Sequence, residues 1–307
     1  MSSVTRQGAI LITGGSGFVG RTVIAELCSR GILCEAVSRT YDPAFRPYVK
    51  QHLLDIHDHL AVTELMKTVR PTQLLHLAWF AAPGSFWESS QNLNWVGSTL
   101  NLVREAMASG CSRIVVTGSC AEYDWTQGWC DEQSGVKRPA TLYGVCKEAV
   151  RDILEHYCRR HGASFAWCRL FWLYGPHEKP GRLVSDTINA MLDGTVATCS
   201  HGMQQRDFMH VSDVASALAT ILQTDADGEF NVSSGEAITV RALVENIARQ
   251  LGGEVSFSGV RPAVDEAPLV AGMPTQLRQL GWRPRYSAES GIAATCDWWR
   301  QNRALPL

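Results

Sequence analysis

The short apolar run Ala9–Thr13 passes directly into Thr13-Gly14-Gly15-Ser16-Gly17-Phe18-Val19-Gly20 and then into a helical pattern over Arg21–Arg30. Few sequence features restrict a fold as much. Glycines spaced three apart between a strand and a helix let the chain turn tightly at Gly14, let the backbone approach a bound group at Gly17, and let helix and strand pack closely at Gly20. The helix that follows points its N-terminal amides back at the turn, a setting that attracts an anion such as a pyrophosphate. Further apolar runs at Cys34–Val37, Gln51–Leu54, Leu74–Leu77, Arg113–Thr117 and Phe165–Leu170 alternate with helix-like stretches at Leu60–Val69, Leu93–Ala108 and Tyr143–Arg160. Repeated βα units build a parallel sheet, and several of these runs are too uniformly apolar to have a wet face. The expected fold is therefore α/β, a doubly wound parallel sheet with a smaller C-terminal lobe. Past Tyr174-Gly175-Pro176 the elements become too short for a second such sheet. Residues 1–175 read as the dinucleotide-binding domain. Segment 206–233 returns to it, because Val211–Leu222 reads as an amphipathic helix and Gly228–Val232 as a buried strand. Residues 176–205 and 234–307 read as a substrate lobe.

Charge and length narrow the partners. A chain of 307 residues with net charge −2 carries no electrostatic footprint for nucleic acid or an anionic membrane, so small molecules are expected. No apolar run approaches the roughly 20 residues that span a bilayer, and the first one is short and leads straight into glycines, so no secretory leader is expected. Ten cysteines lie scattered without a Cys-x-x-Cys pair, which points to free thiols in a reducing cytoplasm rather than a zinc site or a disulfide framework.

Two further features specify chemistry. In Tyr143-Gly144-Val145-Cys146-Lys147 a tyrosine and a lysine lie four apart on a helical pattern, and so on one face. Chance alone would give Tyr-x-x-x-Lys about 0.1 times in such a chain, so its setting carries the weight. Ser119 precedes it at the end of an apolar strand. A neighbouring ammonium favours phenolate, so Lys147 is expected to lower the Tyr143 pKa and let the phenol exchange a proton near neutrality. The second strand runs into Ser38-Arg39-Thr40 with no acid before Asp42. An acid at that place suits the 2′-hydroxyl of NAD, and an arginine suits the 2′-phosphate of NADP. Arg39 thus favours NADP(H), with NAD(H) possible; the plainer alternative is a solvated arginine. Asp55 either reaches an adenine amino group or serves as the N-terminal acid of the helix at His59–Val69.

These residues resemble the extended short-chain dehydrogenase/reductase family, in its nucleotide-sugar epimerase, dehydratase and reductase branch. The resemblance runs through TGGSGFVG, Asp55-Ile56, His76-Leu77-Ala78, VVTGS ending in Ser119, YGVCK, Tyr174-Gly175-Pro176, RDFMHVSDVA at Arg206–Ala215 and LGW at Leu280–Trp282. It implies a Rossmann domain. Tyr143 would be the acid/base, Lys147 would bind the nicotinamide ribose and tune Tyr143, and Ser119 would hold the reacting oxygen. It places Gly14, Gly17, Phe18, Val19, Gly20, Arg39, Asp55, Ile56, Leu77, Ala78, Thr117 and Lys147 around the cofactor. It also implies a homodimer through the helices at Leu93–Ala108 and Tyr143–Arg160.

Departures from the family pattern bear on the reaction. Sugar 4,6-dehydratases carry Asp-Glu after the catalytic hydroxyl, where this chain has Cys120-Ala121, so 4,6-dehydration would require Glu122 to substitute. Trp172 stands where many relatives place an asparagine that contacts the sugar nucleotide. The aromatic stretch from Trp79-Phe80 to Phe86-Trp87 either contacts a sugar or the nicotinamide, with Trp79 the candidate, or packs beneath a loop. Arg206, ahead of a strand, is the candidate diphosphate clamp, with Arg182 and Arg261 behind it. His52, His57 and His59 flank Asp55 in a turn, and His210 reads as a packed strand residue, so no metal is expected. The first reading is NADPH-dependent reduction of a nucleotide-linked 4-keto sugar, a 6-deoxy one made by a separate dehydratase. A nucleotide-sugar 4-epimerase with tightly bound NAD is the alternative, and a non-catalytic NADP-sensing or scaffold protein the alternative of another class.

Overall fold

The computed structural model describes residues 9–45, 49–259 and 266–302. In chain order the elements are β1 (Ile10–Thr13), α1 (Phe18–Ser29), β2 (Cys34–Ser38), β3 (Lys50–Leu53), α2 (His59–Val69), β4 (Gln73–His76), α3 (Gln91–Ala108), β5 (Arg113–Ser119), β6 (Trp129–Asp131), α4 (Leu142–Arg160), β7 (Ser164–Leu170) and β8 (Trp172–Tyr174). There follow α5 (Leu183–Leu192), β9 (Ala197–Cys199), β10 (Gln205–Arg206), β11 (Phe208–His210), α6 (Val211–Leu222), β12 (Gly228–Val232), β13 (Ile238–Thr239), α7 (Val240–Leu251), β14 (Val255–Phe257), β15 (Leu269–Met273), α8 (Thr275–Gln279) and α9 (Ala288–Asn302).

Seven strands form one parallel sheet in the order β12-β7-β5-β4-β1-β2-β3. Successive side chains of a strand point to opposite faces, and here both faces are apolar. Ile10, Ile12 and Val115 pack with Val23, Ile24 and Leu27 of α1 and Val214, Leu218 and Ile221 of α6. Leu11, Ile114, Val116 and Trp167 pack on the other face with residues of α2, α3 and α4. That explains the uninterrupted apolar runs in the sequence. The strand order reverses between β1 and β4, and in open parallel sheets a ligand crevice lies beyond the strand ends at such a reversal.

The second half is built from smaller pieces. Helices α5, α7 and α9 share a core with Ile188, Leu243, Val244, Ile247, Ile292 and Cys296, while β9 pairs with β14 and β8 with β11. No second doubly wound sheet forms, as expected, but β13, β10, β15 and β6 make a small mixed four-stranded one. It joins segments about 140 residues apart, Trp129–Asp131 and Ala271–Met273, so no local pattern announces it. Arg206 ends β10 and stands two residues ahead of β11, as expected of a residue before a strand. The side-chain cap of α2 is Asp58, which accepts from Leu60 N and Ala61 N, rather than Asp55. No helix among the described residues is long and apolar enough to cross a membrane, and all ten cysteines are free.

Candidate active site

The glycine turn follows from close approach. Gly14 has φ +73°, and a Cβ there would lie 2.9 Å from Ala78 N, so the turn after β1 rests against the segment after β4. A Cβ on Gly20 would lie 2.1 Å from Gly14 O, and one on Gly17 would lie 3.1 Å from the same oxygen. Gly17 caps α1 without a side-chain hydrogen bond, no acid stands in the first turn, and Phe18 and Val19 open the helix. Thr13 and His76 stitch the two strand ends together. Thr13 Oγ1 lies 2.6 Å from His76 Nδ1, Leu77 N donates to Thr13 O at 3.2 Å, and Ala78 N donates to Thr13 Oγ1 at 3.4 Å. His76 Nε2 lies 2.9 Å from Thr99 Oγ1. Burial, aided by the Lys147 charge, pushes its pKa down to about 3, so the imidazole is neutral. A cradle that a Cβ would fill, at an uncapped helix N-terminus, fits a dinucleotide pyrophosphate.

Outward from this turn, Arg39 follows β2 and is exposed. Asp42, the first acid after β2, is buried and committed elsewhere: Arg21 Nε lies 2.7 Å from its Oδ2, and its Oδ1 accepts from Ala44 N. Asp55 is exposed and accepts from His57 N at 3.0 Å, while Ile56 is buried. His52 belongs to β3 and meets Glu35 at 2.5 Å, His57 meets Ser98 at 2.7 Å, and His59 opens α2, so the three histidines are not one turn cluster. Among the described residues no group of three or more His, Cys, Asp or Glu is assembled as for a metal ion.

Beyond the end of β5 the reactive side chains meet. Ser119 Oγ accepts from Ala121 N at 3.2 Å, and the Ser119 side chain faces the Tyr143 phenol, whose ionised form it favours. Lys147, 2% exposed, donates from Nζ to Thr117 O at 2.8 Å and lies 3.8 Å from the Trp79 ring centroid. Its Nζ is 6.0 Å from the Tyr143 ring centroid. Phe86, Trp87 and Trp79 meet the Tyr143 ring edge-on at 5.0, 5.8 and 6.4 Å. The expected lowering of the Tyr143 pKa is not found. Burial among these rings raises it, and Ser119 and Arg182 oppose the rise only in part. Burial also pulls Lys147 down to about 7, with Glu122 opposing. Desolvation thus acts on both partners toward their neutral forms.

The remaining candidates divide. Arg206, buried, donates to Gln205 O at 2.8 Å, stands 3.5 Å from Glu266 and lies 5.2 Å over the Trp172 ring. Arg182 donates to Ala81 O at 3.0 Å and lies 5.5 Å from the Phe86 ring. Arg261 is outside the described residues. Trp79 is held by Asn92, its Nε1 donating to Oδ1 at 2.9 Å, and covers Lys147, so this indole packs against α4. His210 ends β11 and caps α6, its Nδ1 accepting from Ser212 N, which makes it a packed residue. Two parts of the site went unread in the sequence: His76 as the clasp between Thr13 and Thr99, and Glu122 as the lock on Ser119. The second had a visible signal, since Ser119-x-x-Glu122 has capping-box spacing, and the structure forms that box. Glu122 is fully buried. It accepts from Ser119 N, Trp167 Nε1 and Arg169 Nε at 2.7, 2.8 and 2.6 Å.

The chain belongs to the NAD dependent epimerase/dehydratase family, whose model matches residues 10–233, the branch of the extended short-chain dehydrogenase/reductases that the motifs implied. It is 26% identical over 325 residues to GDP-L-fucose synthase of Escherichia coli, covering 96% of this chain and 97% of that one. It is 24% identical over 319 residues to mouse (Mus musculus) dTDP-D-glucose 4,6-dehydratase, covering 95% and 89%. The Thermus thermophilus UDP-glucose 4-epimerase in complex with NAD superposes with a TM-score of 0.85 at 25% identity, covering 95% of this chain and 99% of that one. Relatives at this distance thus include a synthase, a dehydratase and an epimerase.

Proposed function

We propose that the protein reduces a nucleotide-linked 4-keto sugar, a 6-deoxy one made by a separate dehydratase, using NADPH. One observation carries the reading. Ser119 and Tyr143 face each other next to the buried Lys147 at the end of β5, and no carboxyl at positions 120 to 122 is free for dehydration. Cys120 and Ala121 carry no carboxyl, and both Glu122 oxygens are held by donors. The names of the relatives support a nucleotide sugar as substrate class.

Gly14, Gly17 and Gly20 with the first turn of α1 would hold the pyrophosphate, Leu77, Ala78 and Thr117 would line the nicotinamide end, and Lys147 would hold the nicotinamide ribose. The reduced nicotinamide, when bound, supplies a hydride to the sugar carbonyl. Ser119 donates a hydrogen bond to the carbonyl oxygen, and Tyr143 delivers its phenolic proton to that oxygen as charge develops there. A ribose-bound ammonium at Lys147 favours that charge. Arg206 would clamp the diphosphate, with Arg182 and Arg261 supporting it. Residues 1–175 with 206–233 would hold the dinucleotide, and 176–205 with 234–307 the sugar nucleotide. Arg39 stands exposed after β2 while Asp42 is taken by Arg21, an arrangement that supports NADPH over NADH.

The likeness to an NAD-bound 4-epimerase favours a second reading, in which the same three residues act twice on a ketone that turns over in the pocket. Net redox separates the two. Purified protein is incubated with NADPH or NADH and a panel of nucleotide 4-keto-6-deoxy sugars, and absorbance of the reduced nicotinamide is followed. Oxidation with at least one ketone is expected. Tightly bound NAD with interconversion of intact sugar nucleotides, and no oxidation, would establish the epimerase.

A further inference from the structure

A buried carboxylate stands behind the reactive side chains, and the mechanism above does not use it. Glu122 and Ser119 cap each other reciprocally: Ser119 Oγ accepts from Ala121 N, and Glu122 Oε1 accepts from Ser119 N at 2.7 Å. Space for this exists because residue 118 is glycine. A Cβ there would lie 2.5 Å from Glu122 Oε1 and 2.2 Å from Trp167 Nε1. The second oxygen is tied to Trp167 and Arg169 of β7. Arg169 is fully buried as well and binds Glu148 of α4 at 3.0 Å and Glu229 of β12. The network therefore reaches α4 at the residue after Lys147. Lys147 has one hydrogen-bond acceptor, Thr117 O, and the face of Trp79, and the opposite charge acting on it is Glu122.

Buried ion pairs are weak devices for stability, because desolvating the charges costs about as much as their attraction returns. This one has a second consequence, since it grips the main chain of Ser119 directly. We propose that Glu122 is the positioning residue of the site: it fixes the Ser119 backbone so that the hydroxyl faces Tyr143, and its negative charge favours the ammonium form of Lys147 against the effect of burial. The inference rests on the roles assigned above to Ser119, Tyr143 and Lys147. The groups facing Glu122 are Arg169 and Trp167 from β7, Tyr143, Lys147 and Glu148 from α4, and Cys120 and Tyr123 from its own segment, with Glu229 behind Arg169. Burial pushes the Glu122 pKa up to about 7, with Arg169 favouring the anion and Glu148 opposing it, so the carboxylate charge is present above neutral pH.

Glu122→Gln keeps an oxygen for Ser119 N and removes the charge. Glu122→Asp keeps the charge and withdraws it by about one carbon–carbon bond. NADPH binding to the full chain is followed by protein fluorescence from pH 6 to 9.5, a readout that needs no sugar, so a wrong choice of ketone leaves it in force. Alkaline loss of binding in Glu122→Gln should have its midpoint about one pH unit below that of the wild type, as expected for losing a nearby opposite charge. With an accepted ketone, kcat should fall at least tenfold while KM changes little. A wild-type midpoint in a folded Glu122→Gln overturns the proposal. Should circular dichroism show that this variant does not fold, Glu122→Asp decides: a wild-type midpoint with reduced kcat supports the role, and wild-type kcat overturns it.

Discussion

Replacing Lys147 by Met removes a buried cation while keeping most of its volume. The wild-type ammonium has one carbonyl, Thr117 O at 2.8 Å, and the Trp79 face at 3.8 Å to compensate for lost water. Burial lowers it from 10.5 to about 7, and at about 1.4 kcal/mol per pH decade that gap corresponds to roughly 4–5 kcal/mol of strain in the charged state. Leaving Thr117 O without its donor returns about 1–3 kcal/mol of cost, so Lys147→Met should gain on the order of 2 kcal/mol near pH 6.5. For a chain of this size that is a few degrees in Tm. The pH dependence gives the sharper test. Below pH 7 the lysine is charged in both folded and unfolded chains, and its penalty is fully present. Between pH 7 and 10.5 the unfolded chain holds a proton that the folded one lacks, so wild-type stability rises with pH relative to the variant. Thermal melts of both proteins without dinucleotide, from pH 6 to 9.5, should show the advantage of Lys147→Met constant up to about pH 7 and shrinking steadily above it. Melting curves whose separation is the same at every pH would refute the reasoning.

Arg39→Asp should weaken NADPH by about 10- to 100-fold, the value of a charge-assisted contact to a phosphate, and leave NADH little changed; equal losses in fluorescence titration would remove Arg39 from the cofactor site. Gly20→Ala would set a Cβ 2.1 Å from a backbone oxygen, an overlap relieved only by moving the turn. It should cost about 1–3 kcal/mol in denaturant unfolding together with most of the dinucleotide affinity, and full affinity would contradict the close packing described. Leu93 of α3 and Val145 and Ile153 of α4 are exposed apolar residues on the two helices proposed to pair, so sedimentation at micromolar concentration should show a dimer; a monomer there removes the proposal.

Much of the fold was legible because both sheet faces are apolar. Runs such as Arg113–Thr117 announce strands with no wet side, and the bounds of β12 and α6 agree with the sequence reading. The glycine turn was legible because steric demand at Gly14 and Gly20 is local. Through-space effects were not. Spacing places Tyr143 and Lys147 on one face, but it says nothing of Trp79, Phe86 and Trp87 closing over them, and that desolvation reverses the expected pKa direction of Tyr143. In the same way the sequence does not show that Asp42, the first acid after β2, is held by Arg21, 21 positions away. The four-stranded sheet joins residues too far apart for any window to show. Glu122 lay between these cases: its capping-box spacing was in the sequence, while its burial depends on Gly118, Trp167 and Arg169 arriving from elsewhere.

The most direct test of the account is the turnover of Tyr143→Phe with NADPH and the nucleotide 4-keto-6-deoxy sugar that the wild type reduces. The variant lacks only the phenolic hydroxyl. Turnover should fall about 10²- to 10⁴-fold, the range for losing a general acid, while the NADPH dissociation constant stays within about twofold. Wild-type turnover in Tyr143→Phe would contradict the central claim that this phenol protonates the sugar oxygen.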